Sequence, residues 1–138
     1  MSTEPEFRFV YQVPVRFRDL DAMGHAHHSL PLVYIEEARA AYWRDVANRR
    51  DVASIDYIMA QVSVRYVRRI EFPATLRIGL RVSRLGGSSF TMQYEIRDAH
   101  GDLLATAETV QVMYDYEQNR SKSIPDDVRT VITAFERL

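Results

Sequence analysis

The chain has 138 residues, 46% of them apolar, and a formal net charge of −1. A chain of this length is expected to form one domain, 1–138, burying roughly two-thirds of its unfolded surface, and a charge so close to zero argues against nucleic-acid binding, which rests on a basic excess. Cysteine is absent, which excludes disulfides, thiolate catalysis and Cys-based zinc sites.

The first seven residues lack the basic start and apolar run of a signal peptide, and no stretch approaches the ~18 apolar residues of a membrane span. A cytoplasmic protein without a membrane partner is therefore expected. Segment 8–18 places Phe9, Tyr11, Val13 and Val15 on one side of a strand, and Pro14 confines that strand to an edge or a bulge. After Gly24, Ser29 reads as an N-cap and Pro31 falls in the first turn, where its missing N–H does little harm. A helix should begin near residue 30. Leu32, Ile35, Ala38, Tyr42 and Val46 recur at helical spacing, and Asn48 with Arg49-Arg50-Asp51 ends the pattern.

Downstream the period changes to two. Val62, Val64 and Tyr66 alternate with Ser63 and Arg65, and Leu76, Ile78, Leu80 and Val82 alternate with Arg77, Gly79, Arg81 and Ser83. Gly86-Gly87 turns the chain into Phe90, Met92, Tyr94 and Ile96, and His100-Gly101-Asp102 turns it into the run 104–116. Ser123-Ile124-Pro125-Asp126 opens a short helix carrying Val128, Val131, Ile132 and Phe135. The order of elements is α+β, one long helix followed by antiparallel strands. A lone sheet wrapped on one helix leaves strand edges and apolar surface, so a homodimer is expected, with a dimer of dimers also open to it.

The chemistry gathers at 19–28. Asp19 and Asp21 lie two apart at a strand end and would share a face if the strand persisted, although turn chemistry also favours Asp there. His25, His27 and His28 crowd the same loop, a composition that suits zinc. Adjacent His27 and His28 aim poorly at one ion, however, and no histidines stand four apart on the helix. The expectation is no metal, with the histidines orienting a carboxylate, a water or the backbone. A carboxylate close to a helix N-terminus, whose N–H groups can hold an oxyanion, suits acyl transfer.

The run Asp-Leu-Asp-Ala-Met-Gly-His-Ala-His-His at 19–28, followed by Tyr34-Ile35-Glu36-Glu37-Ala38-Arg39, resembles the signature of hot-dog-fold acyl-CoA thioesterases of the 4-hydroxybenzoyl-CoA thioesterase type. Tyr66, the segment 85–90 and Tyr94-Glu95-Ile96 extend the similarity over roughly residues 10 to 125. The resemblance implies a hot-dog fold, one long central helix wrapped by an antiparallel sheet of about five strands. It implies hydrolysis of an acyl-CoA thioester, with coenzyme A as part of the substrate and no further cofactor. Asp21 takes the position of the catalytic carboxylate, and the helix N-terminus near His28 that of the oxyanion site. Gly24, His25, His27 and Tyr34 belong to the expected substrate-contacting set, together with Ser88, Ser89 and Arg68 toward the coenzyme. The pattern is broken where His27-His28 replaces an Asn pair, Pro31 a Tyr, Arg69 a Pro and Pro73-Ala74 a Gly-Asp.

Tyr34, Tyr42, Trp43, Met59 and Phe90 are candidates for an apolar acyl pocket, against the default of core packing. Two other functions compete with hydrolysis. One is acyl-CoA binding without catalysis, and the other is a hot-dog hydratase or dehydratase pairing Asp21 with His27 or His28 as acid and base.

Overall fold

The structure is a computed structural model that describes residues 7–51 and 55–138. The run 1–6, read above for a targeting signal, lies outside them. Five long strands, β1 (Phe9–Pro14), β2 (Tyr57–Tyr66), β3 (Thr75–Leu85), β4 (Ser89–Arg97) and β5 (Leu103–Asp115), pair antiparallel. Their spatial order is β1-β3-β4-β5-β2. The sheet has six strands rather than about five, because the two-residue β6 (Arg120–Ser121) folds back onto the end of β5. Helix α1 (Leu30–Asp45) packs against β1 and β3, and α2 (Asp126–Glu136) packs against β3.

Alternation along β4 is complete. Phe90, Met92, Tyr94 and Ile96 are buried and the residues between them are not, so each inward side chain contributes about 1.5–3 kcal/mol of burial. Leu76, Ile78, Leu80 and Val82 of β3 complete the same face. Pro14 sits where the sequence confines it, on the edge strand β1, where no further strand asks for the N–H it lacks. Strand β2 starts five residues before the alternation at Val62, since a register shift between Met59 and Gln61 breaks its period.

The second helix is anchored by one carboxylate. At the register shift after Val82, the Val82 N–H donates to Glu136 Oε2 at 2.7 Å, and the Tyr42 hydroxyl donates to the same oxygen at 2.8 Å. Glu136 thereby fastens α2 to both β3 and α1.

The expected helical stripe needs one correction. Leu32 is 41% exposed and Val33 43%, while Tyr34, Ile35, Ala38 and Tyr42 carry the buried face. Of the candidate acyl-pocket residues, Tyr34, Tyr42, Trp43 and Phe90 are buried in the core. Trp43 and Phe90 stack at 5.4 Å with planes 6° apart. The seam between α1 and the sheet is filled by these rings.

Candidate active site around Asp21

The loop from Leu20 to Ser29 is a closed turn. Leu20 and Ala26 form an isolated antiparallel bridge, Asp21 N–H donates to His25 O at 3.0 Å, and His27 N–H donates to Asp19 O at 2.9 Å. Gly24 has φ 85°, a left-handed conformation that glycine adopts without a Cβ penalty. Ala26 N–H, donating to Ile70 O at 2.8 Å, ties the loop to the segment that follows β2.

This turn separates the two aspartates. Asp19 ends a single 3-10 turn (Phe17–Asp19) and is buried, its Oδ2 accepting from Arg16 N–H at 2.9 Å and from the Tyr34 hydroxyl at 2.8 Å. Burial first, and the Asp19 carboxylate second, push the Tyr34 phenol well above the usual tyrosine range. Asp21 stays partly exposed. Its Oδ1 accepts from Met23 N–H at 2.9 Å, and its other oxygen has no partner among the described residues.

Asp21 lines a cavity of about 290 Å³ whose walls include His25, His27, His28, Tyr66 and Arg68. Some backbone donors around it are already engaged. The N–H groups of His27, Ser29, Leu30 and Leu32 each donate to an acceptor in the loop or in Asp19, yet the His28 N–H has none among the described residues. His28, just ahead of α1, lines the same cavity as Asp21, and an amide without an acceptor there can receive a developing oxyanion.

Ser29 does occupy the N-cap, but its side chain makes no cap. Its backbone is already helical, φ −79° and ψ −17°, and its hydroxyl instead meets His27 Nδ1 at 2.9 Å. The His27 and His28 rings lie 4.0 Å apart. Among the described residues no three His, Asp or Glu side chains form a metal-binding set.

Of the expected substrate-contacting residues, His25, His27 and Arg68 line the cavity, and Gly24 shapes the loop beside it. Arg68 also reaches Asp102 at 3.4 Å. Tyr34 does not line it: its ring is in the core and its hydroxyl is on Asp19. Ser88 and Ser89 lie elsewhere too. Ser89 pairs with Val112, whereas the cavity touches β5 at Ala105, seven residues away, or about 23 Å along a strand. Pro31, Tyr66, Val67, Arg69 and Ile70 complete the walls. The period-two pattern sets Tyr66 with Val62 and Val64 on one face of a half-buried strand, yet Val62 and Tyr66 are exposed on the edge strand β2, and the pattern gives no sign of what Tyr66 touches.

A sequence model of the Thioesterase-like superfamily matches residues 15–132. A thioesterase from Thermus thermophilus, solved with coenzyme A and zinc, is 31% identical, with 96% of this chain and 97% of that one covered and a TM-score of 0.84. A thioesterase-superfamily structure from Jannaschia sp. CCS1 aligns with a TM-score of 0.86 over 96% of this chain and 85% of that one; at 23% identity it bears on fold alone. The uncharacterised Bacillus subtilis protein YsmA is 27% identical over 126 residues, covering 91% of this chain and 86% of YsmA.

Proposed function

Because the chain belongs to the thioesterase-like superfamily, we propose that it hydrolyses an acyl-CoA thioester to the free acid and coenzyme A, with Asp21 and the His28 N–H as its reactive groups. The observation that carries this reading is that Asp21, with one unpartnered carboxylate oxygen, and His28, with an amide that has no acceptor among the described residues, line a single cavity just ahead of α1.

The thioester carbonyl carbon would face Asp21 and its oxygen the His28 N–H. The Asp21 carboxylate acts there as nucleophile or as general base. As a base it takes one proton from the attacking water. As a nucleophile it forms an acyl anhydride that water then cleaves. In either case the tetrahedral oxyanion draws on the amide, a kind of donor worth about 3 kcal/mol, and on the positive end of α1, before collapse expels the thiolate.

The protein is proposed to act as a homodimer joined along β2, the edge strand. Ile58, Met59, Val62 and Tyr66 are each between 38% and 53% exposed there, an apolar edge that natural sheets rarely leave open. In that assembly Ser88, Ser89 and the nearby basic residues of a second copy would be the ones to meet the coenzyme.

The test is an acyl-CoA panel from short and branched to long-chain and aromatic acyl groups, followed by release of free thiol. Hydrolysis of at least one member by the wild type, abolished in Asp21→Ala, supports the proposal. Tight binding of acyl-CoA with no thiol release would make the protein a binder instead. In the same assay run in heavy-oxygen water, under single-turnover conditions, label entering the Asp21 carboxylate identifies the nucleophilic role.

A further inference from the structure

Tyr66 closes β2 and is 53% exposed, with its ring in the wall of the Asp21 cavity and its hydroxyl donating to the carbonyl oxygen of His28. That carbonyl has lost its ordinary donor. In a tight turn it would accept from the N–H three residues on, but residue 31 is proline and has no N–H. The next amide, Leu32 N–H, donates to Ser29 O at 3.2 Å instead. The phenol stands in for the amide that Pro31 removed.

The other tethers of the loop act before residue 28. The Leu20–Ala26 bridge, His27 N–H on Asp19 O and Ala26 N–H on Ile70 O are all backbone contacts, and they fix the loop only as far as His27. Beyond it, Ser29 N–H on His27 Nδ1 and Leu30 N–H on His27 O close a local turn around His28, and among the described residues the hydrogen bond that ties His28 to a distant segment is that of the Tyr66 hydroxyl.

We propose that Tyr66 is a positioning residue for hydrolysis. By gripping the His28 carbonyl it fixes the orientation of that residue, so that the unpaired His28 N–H points at the place where the thioester oxygen becomes negative. The inference rests on the thioesterase reading above. Misplacement of a reacting group by about 1 Å can cost roughly 100-fold in rate, so the hydroxyl governs turnover, while the ring, as a wall, governs binding.

The experiment compares Tyr66→Phe with wild type on an acyl-CoA that the wild type hydrolyses. The expected result is a fall in kcat of roughly 10- to 100-fold, with KM within about twofold and the melting temperature unchanged. Adding Pro31→Ala to Tyr66→Phe returns a backbone donor to the His28 carbonyl and should recover part of the lost kcat. Unchanged kcat, a rise in KM alone, kcat falling together with the melting temperature, or no recovery in the double variant would each overturn the inference while leaving the thioesterase reading intact. A wild type inactive on every thioester would overturn both.

Discussion

The hydroxyl of Tyr34 donates to Oδ2 of Asp19 across 2.8 Å, with both residues buried. This bond removes the first aspartate of the Asp-x-Asp pair from solvent and fastens it to α1, and the turn that follows leaves Asp21 at the cavity. Two chemically identical side chains, two residues apart, thereby take different environments.

Removal of the Tyr34 hydroxyl should affect stability and leave catalysis alone. Tyr34→Phe leaves the Asp19 carboxylate one donor short, with Arg16 N–H remaining on Oδ2 among the described residues, a loss of about 1–2 kcal/mol. Urea unfolding should show this, with turnover per folded molecule within about threefold of wild type. A collapse of activity at unchanged stability would return Tyr34 to the substrate-contacting set.

Asp21→Asn should do the reverse. The partly exposed carboxylate holds one loop amide, Met23 N–H, which an Asn oxygen can also accept, so stability should stay within about 0.5 kcal/mol. Thioester hydrolysis should fall by about 10²- to 10⁴-fold, the range of a lost acid–base group. Retained turnover would remove Asp21 from the mechanism.

Alkaline conditions should unfold the protein. Burial is the main cause that raises the phenols of Tyr34, Tyr42, Tyr57 and Tyr94, with Asp19 adding to the rise at Tyr34 and Glu136 at Tyr42. Arg39 opposes the rise at Tyr57 and Tyr94. The folded state keeps these protons where the unfolded chain releases them near pH ~10. Their contribution to stability is therefore complete below about pH 10 and is lost as pH rises beyond it. Urea midpoints should decline from about pH 10 upward, with tyrosinate absorbance from the buried rings appearing only as the chain unfolds. Ionisation of all eight tyrosines in a still-folded protein would contradict this.

A charge on the edge of β2 should disrupt self-association. Val62 is 41% exposed on the edge strand β2, so Val62→Lys adds a charge that a second copy would have to desolvate. Sedimentation velocity should shift from dimer to monomer, while circular dichroism stays that of the wild type. An unaltered assembly would move the interface away from β2.

Much of this protein is legible in its residue order. Period two sets the inward faces of β3 and β4, and Pro31 beside Ser29 fixes where α1 begins, because both depend on neighbours within one turn or one strand. The loop bearing Asp21 and the three histidines is visible for the same reason. The local signals fail where a distant partner intervenes. The bulge at Met59–Gln61 hides the first half of β2, and Leu32 has helical spacing yet no cover. Ser29 has the side chain of a cap but spends its hydroxyl on His27.

Residue order alone specifies the kinds of element, their succession and the loop that gathers the acids and histidines, since period and turn chemistry act over a few residues. Folding in three dimensions is what sends Asp19 inward to Tyr34 and lets Tyr66 grip His28, 38 positions before it. It also sets Ser89 apart from Asp21. Those outcomes follow from strand order and register, which bring together segments far apart in the chain and leave no periodic trace within either.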